Sequence, residues 1–205
     1  MTYDAQMLLL TCLAALAEPS VTIDRQGRTL YLLAEDGTVL RSSPVGIGRG
    51  GLADKQSMAD LITPTGTFTI DLVLTGRGGT VEPHTAAGFS SDPEYAALLA
   101  DPVALLANMN RIDFDGDGAP DRAYGVAYVG LTAADRITGP KLRRYRDGTA
   151  YWFSIALHGT PDPANIGAAN SGGCVHLPTD LLIELIDAGT LAVGHTVIIQ
   201  DGAPR

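Results

Sequence analysis

Two residues in the C-terminal third have the types that acyl transfer requires. Within 157–177 (LHGTPDPANIGAANSGGCVHL), His158 ends an apolar run, a Pro/Asn/Gly loop follows, and a lone Cys174 stands after two glycines. A free thiol has a pKa near 8.5, so only about 3% is thiolate at pH 7; a neighbouring imidazole that accepts the proton makes it a usable nucleophile. Gly172 and Gly173 let the backbone turn, so that N–H groups, that of Cys174 included, can converge on a developing oxyanion. The sixteen-residue offset could span roughly 50 Å if extended, so contact depends on the fold. Taken alone, the residues fit equally well a buried structural cysteine and a histidine capping a strand. A zinc site fits poorly. One Cys with scattered His lacks paired-ligand spacing, and His84 and His195 stand alone.

A second chemical pattern lies at 113–121. Asp113, Asp115, Asp117 and Asp121 occupy relative positions 1, 3, 5 and 9, with Gly116 and Gly118 between them. Alternate carboxylates around a tight glycine turn, with the carbonyl of Ala119, suit an oxygen-loving ion such as Ca²⁺. Tyr124 stands where a bidentate Glu would close the loop, so a weak structural calcium site is expected, against a solvated Asp/Gly turn.

The rest of the chain limits what these residues can serve. Its 205 residues suggest one domain with extensions, and 45% hydrophobic against 18% charged residues permits a sizeable core. A net charge of −9 argues against a nucleic-acid partner, which would need a basic patch. Two cysteines, Cys12 and Cys174, exclude a disulfide framework. Residues 7–17 (MLLLTCLAALA) form an apolar stretch of 11 residues, too short to span a bilayer. It resembles a secretory signal with a small-x-small end at Ala15–Ala17, although Asp4 and the lack of Lys or Arg before it are atypical. The other reading is an N-terminal helix stopped before Pro19.

From residue 21 the pattern is short strands and turns, with 24 Gly and 12 Pro. Strands are expected at 21–24, 29–34 and 39–45, around turns at Gln26-Gly27 and Asp36-Gly37. The glycine-rich 46–51 (GIGRGG) has no helix signal after it, so it is not a phosphate loop. Further strands are expected at 67–74, 123–129, 151–157 and 196–200. Helical stretches over 93–109 are broken by Pro102, and an amphipathic helix covers 180–187.

These residues together resemble the L,D-transpeptidase family, whose motif is H-G-T, a loop with I-G, then S-x-G-C-[IV]-[RN]. Here stand His158-Gly159-Thr160, Ile166-Gly167 and Ser171-Gly172-Gly173-Cys174-Val175. Thr63-Pro64-Thr65-Gly66-Thr67-Phe68 is similar to the family's T-P-x-G-x-F segment, as are the opening hairpin and the tail around Gly194–Val197. Two positions depart from the pattern: Gly172 where His is frequent, and His176 where Arg or Asn is usual.

The resemblance implies a mainly β fold with α elements, an α+β, β-sandwich-like catalytic domain over 19–205, with an insertion at about 76–150 and a signal-like segment over 1–18. It implies a Cys174 thioester enzyme acting on peptidoglycan stem peptides outside the cytoplasmic membrane. His158 would be base and then acid, and the Gly172, Gly173 and Cys174 N–H groups the oxyanion site. Gly159, Thr160, Ser171 and His176 would lie on the substrate side. No cofactor is expected for catalysis, and the expected state is a monomer without a membrane span. A murein carboxypeptidase or amidase with the same Cys–His site, and a wall-binding protein with a degenerate site, are the alternatives.

Overall fold

Strands begin where the sequence becomes rich in β-branched and aliphatic residues. In the computed structural model, which describes residues 19–81, 93–132 and 141–205, β1 (Ser20–Asp24) is buried at all but its first residue. It pairs antiparallel with β2 (Thr29–Leu33), and β2 with β3 (Val39–Pro44). Asp24 closes the first turn by accepting the Gly27 N–H at 2.9 Å, and Asp36 closes the second by accepting that of Thr38 at 2.9 Å. The glycine-rich stretch yields only the two-residue β4 (Ile47–Gly48). β5 (Gly66–Thr75) follows and forms a hairpin with β6 (Gly78–Val81). The signal-like segment 1–18, Cys12 and His84 lie outside the described residues.

Residues 93–109 form two helices, α1 (Pro93–Ala100) and α2 (Pro102–Met109). Pro102 lacks the N–H that would continue α1, yet it suits the first turn of α2. There Asp101 caps the helix by accepting the Ala104 N–H at 3.0 Å. The strand expected at 123–129 starts later, as β7 (Ala127–Thr132), because residues 123–126 form a turn in which the Gly125 N–H bonds Arg122 O at 3.0 Å. The one expected at 151–157 is two strands. β9 (Ala150–Trp152) pairs with β8 (Leu142–Arg144), and β10 (Ile155–His158) joins the main sheet. Phe153, at the break, donates its N–H to Lys141 O at 2.6 Å. β11 (Ala169–Ser171), β12 (Val175–His176), α3 (Thr179–Asp187) and β13 (Thr196–Gln200) complete the chain.

The architecture is mainly β with α elements, built on one curled, nine-stranded mixed sheet. Its order is β12-β10-β7-β5-β13-β1-β2-β3, with β6 beside β5; β4–β11 and β8–β9 form two small sheets. The β1–β13 and β10–β12 pairs are parallel. Each face of the sheet carries its own apolar core. One gathers Ile23, Phe68, Ile70, Val129, Leu157 and Val175 with Leu181, Leu182 and Leu185 of α3. The other gathers Leu72, Leu74, Tyr128, Ala156 and Trp152 with Leu105, Leu106 and Met109 of α2. Strict alternation along β5 would put residues 68, 70, 72 and 74 on one face. A register shift between Ile70 and Leu72 sends Leu72 and Leu74 to the opposite core instead. At this bulge the buried Asp71 lies 3.4 Å from Lys141 Nζ.

The loop after β4 is held by Arg25, whose side chain is 1% exposed. Its guanidinium donates to the carbonyls of Leu52 (2.9 Å), Ala53 (3.3 Å) and Thr63 (2.7 Å), and to both carboxylate oxygens of Asp201 (2.9 and 2.8 Å). Removing a buried charge that satisfies several acceptors leaves them desolvated and unpaired. Arg25→Ala is expected to lower the unfolding free energy by about 3 kcal/mol in a urea titration. A loss under about 1 kcal/mol would mean that water satisfies the freed carbonyls.

Candidate active site

The parallel β10–β12 edge assembles the candidate reacting residues. Its register pairs Leu157 with Val175 and His158 with His176. Side chains alternate along a strand, so Leu157 and Val175 enter one core while Ala156 and Cys174 face the other. His158 points the same way as Ala156 and Cys174, packed edge-on to Tyr124 at 5.1 Å and stacked with Tyr128 at 6.0 Å between ring centroids. His158 and Cys174 are thus diagonal neighbours on one face of this edge. His158, Cys174 and His176 line one cleft of about 640 Å³. Its aromatic wall includes Phe114, Tyr145, Tyr151 and Phe153, all from the second half of the chain.

The imidazole is oriented by the backbone. Its Nδ1 lies 2.6 Å from Gly159 O; a carbonyl can only accept, so Nδ1 carries the proton and Nε2 the lone pair. His158 is 3% exposed. Burial, with a smaller effect from His176, holds its pKa down at about 3, although the bond to Gly159 O opposes this. The ordinary value is 6.5, so the unfolded chain takes up this proton before the folded one does. Stability is therefore lost as pH falls from about 6.5 towards 3. The half-buried Cys174 thiol donates to Ser154 O at 3.8 Å. Burial pushes its pKa up to about 11, with the Ala156 N–H and Lys55 pulling the other way. At neutral pH the pair therefore rests as thiol and neutral imidazole.

The cysteine loop is fixed by hydrogen bonds of its own. Ser171 Oγ donates to Cys174 O at 2.6 Å and accepts the Gly173 N–H at 3.0 Å. Gly173 sits at φ +119°, a conformation that L side chains rarely adopt. Of the three N–H groups expected at the oxyanion, that of Gly173 is thus given to Ser171; those of Cys174 and Gly172 have no hydrogen-bond partner among the described residues. Gly172 has open space at its Cβ position, so a side chain could start there without a clash.

The residues expected on the substrate side divide. Thr160 and His176 line the cleft. His176 Nδ1 is buried without a hydrogen-bond partner, and its ring lies 4.8 Å from that of His158. Ser171 reaches the cleft wall, but its hydroxyl is committed to the loop. Gly159 acts through its backbone, accepting from His158 and donating to Ala127 O at 3.2 Å. Two features escaped the sequence reading. Arg49 of the glycine-rich loop lines the cleft, with its guanidinium donating to Asn170 O at 3.4 Å, and Thr63 bonds the cysteine loop from behind. Thr63 already stood in the T-P-x-G-x-F segment; nothing in the sequence placed Arg49 here. His195 bonds Thr190 O at 3.3 Å, away from the cleft.

The acidic loop brings together three of its four aspartates. Carboxylate oxygens of Asp113, Asp115 and Asp117 lie within 4.8 Å of one another. Asp121 stands apart from this trio, with Oδ2 accepting the Phe114 N–H at 2.5 Å. Ala119 gives its N–H to Asp117 at 2.8 Å. The N–H groups of Gly118 and Gly116 hold the Asp113 carboxyl below the usual carboxylate range.

A half-buried neutral thiol predicts a particular reactivity profile. Alkylation of Cys174 by iodoacetamide should still be accelerating with pH at 9.5, towards a midpoint near 11. A rate that levels off below pH 9 would contradict the thiol–imidazole resting state.

The chain matches the YkuD family model, the L,D-transpeptidase catalytic domain, over residues 18–199. No curated protein matches it by sequence. Among solved structures it is similar to Bdellovibrio bacteriovorus Bd1075 at 17% identity and TM-score 0.47, covering 91% of this chain and 48% of that one. It is similar to an L,D-transpeptidase from Mycobacterium smegmatis at 20% identity and TM-score 0.40, covering 89% and 58%. For the helical cell shape determining protein Pgp2 from Campylobacter jejuni the values are 15%, 0.46, 91% and 48%. The chain spans about half the length of these structures. The family model extends over almost all of the sequence, the motif residues included: this protein belongs to the L,D-transpeptidase catalytic domain family.

Proposed function

We propose that the protein is a cysteine acyltransferase that cross-links peptidoglycan stem peptides outside the cytoplasmic membrane. The observation that carries this reading is the meeting of Cys174 and His158 in one cleft, with His158 Nδ1 fixed by Gly159 O and Nε2 left as the base. Cys174 Sγ attacks the carbonyl between the third residue of a stem peptide and its terminal D-residue. The thiol proton passes to His158 Nε2, and the carbonyl π pair moves onto oxygen. Collapse of the tetrahedral adduct breaks the C–N bond, and His158 returns the proton to the leaving amine. An acceptor amine then attacks the thioester and releases Cys174; water in that role would make the enzyme a carboxypeptidase.

Other cleft residues fit this substrate. The exposed Arg49 guanidinium suits the carboxylate of the D-residue. His176, in place of the family's Arg or Asn, offers its unpartnered Nδ1 to the stem peptide. Among the described residues no helix is long and apolar enough to cross a membrane; the signal-like segment 1–17 would direct export. The acidic loop would hold a structural calcium ion through Asp113, Asp115 and Asp117, with Asp121 and the Ala119 carbonyl as the further expected ligands. Phe114, between two of these aspartates, lines the cleft, so ordering the loop would order that wall.

Incubation with a purified stem tetrapeptide, read by mass spectrometry, tests the reaction. A cross-linked dimer is expected, and Cys174→Ala should abolish it; tripeptide alone would assign water as acceptor. An unchanged tetrapeptide, or full activity in Cys174→Ala, would contradict the proposal. His176→Ala should lower kcat/KM by about 10- to 100-fold, or about 1.4–2.7 kcal/mol; an unchanged value would reduce His176 to a packing residue. Millimolar calcium should raise the melting temperature without changing Cys174 alkylation, given an expected Kd on the order of 10⁻⁴–10⁻³ M. No thermal shift would leave the loop a solvated turn.

A further inference from the structure

The cysteine loop is anchored from its buried side by one hydroxyl. Thr63, 1% exposed, accepts the Gly48 N–H at 2.8 Å and donates to Gly173 O at 2.9 Å. The contact spans 110 positions in sequence. It is itself braced, since the Thr63 carbonyl accepts from Arg25 at 2.7 Å, and Lys55 Nζ holds Ile62 O at 2.9 Å and Asp60 Oδ1 at 2.7 Å. The approach leaves no room for side chains on either backbone. A Cβ on Gly48 would lie 2.2 Å from Leu61 O and 3.0 Å from the Gly173 Cα; one on Gly173 would lie 3.0 Å from Ile62 O.

The accepting atom gives this bond its significance. Gly173 C=O and Cys174 N–H belong to one peptide unit, and that unit is trans, so the two groups point to opposite sides. With the carbonyl directed at buried Thr63, the N–H is directed away from it, on the side where Cys174 meets the cleft. A hydrogen bond to the carbonyl also polarises the amide and strengthens its N–H as a donor. The two bonds of Ser171 flank this peptide unit without touching it.

We infer that Thr63 is a positioning residue for acyl transfer: through Gly173 O it fixes and polarises the Cys174 N–H, which receives the oxyanion. The inference rests on the reading of Cys174 as an acyl-transfer nucleophile. It adds that the T-P-x-G segment works on the transition state rather than only on the turn before β5. During attack on a carbonyl, the new C–S bond displaces a π pair onto oxygen, and the Cys174 N–H meets that charge. During alkylation by iodoacetamide, sulfur displaces iodide at a saturated carbon and no oxyanion forms. Thr63 should matter to the first reaction and not to the second.

The test compares the unmodified chain with Thr63→Val and Thr63→Ser, using iodoacetamide and 4-nitrophenyl acetate as probes of Cys174. Valine keeps the shape of threonine and loses both hydrogen bonds, whereas serine keeps them. Acetylation by the ester, read as the 4-nitrophenolate burst, should fall by about 10- to 100-fold in Thr63→Val. Alkylation should stay within about threefold and Thr63→Ser should restore the burst, as expected if the loss is confined to oxyanion stabilisation. Equal losses in both reactions, or an undiminished burst in Thr63→Val, would overturn the inference. Should Thr63→Val fail to fold, Thr63→Ala, which loses both bonds with a smaller side chain, decides the matter by the same ratio of burst to alkylation. A stem tetrapeptide as third probe separates the two claims. If the ratio moves with Thr63 while the tetrapeptide stays intact, the proposed substrate is wrong and the role of Thr63 stands. If the tetrapeptide reacts and the ratio does not move, the reverse holds.

Discussion

The parallel pairing of β10 with β12 is the constraint on which the site depends. Because side chains alternate across a sheet, a slip of one residue in that register would turn Cys174 or His158 into the opposite core. The aliphatic residues interleaved with them resist the slip. Leu157 and Val175 are fully buried among the residues that α3 covers, so a slip would move them toward the cleft and drive an imidazole or a thiol into the aliphatic core. The chemistry of one face is thus held by the packing of the other. The β5 bulge between Ile70 and Leu72 performs a related task, moving Leu72 and Leu74 under α2 and closing the core behind Tyr128 and Trp152.

Burial at this edge has an electrostatic consequence. The environment that excludes water disfavours both thiolate and imidazolium, so the resting pair is neutral. In the proposed reaction, attack on a carbonyl would create imidazolium and oxyanion together, and the site would then have to stabilise two charges that it does not hold at rest. Fixed dipoles serve this better than mobile ones, because they need no reorganisation during reaction. Gly159 O faces the His158 ring, and the Ser171 and Thr63 hydroxyls grip the cysteine loop from its two sides. The only side-chain hydroxyls in this set bond the loop backbone, which is where rigidity is needed.

Much of this was legible in the sequence, and what was missed has identifiable causes. The Asp-Gly hairpin and the Pro102 break read correctly because each rests on local backbone chemistry. The strand expected at 151–157 proved to be two, since an apolar run with β propensity gives no sign that Phe153 turns its N–H to Lys141. The β5 bulge is invisible for a related reason: TFTIDLVL alternates well enough on paper, and only pairing with β7 shifts it. At the candidate site, Cys174, His158 and Gly172 were picked out by residue type and motif spacing, and the structure brings them to one cleft. The bond that the Gly173 N–H gives to Ser171 Oγ was not legible, because no spacing rule shows which acceptor that donor meets. The closeness of Thr63 to Gly173 is a long-range contact, and single-sequence periodicity carries no such information.

The central claim is that Cys174 carries the acyl group of a stem peptide during turnover. Its most direct test is intact mass spectrometry of the enzyme, mixed with stem tetrapeptide and quenched in acid, followed by peptide mapping. The account predicts a chain heavier by one tripeptide acyl group, joined as a thioester at Cys174. Turnover with the chain mass unchanged throughout, or an acyl group mapped to any other residue, would contradict it.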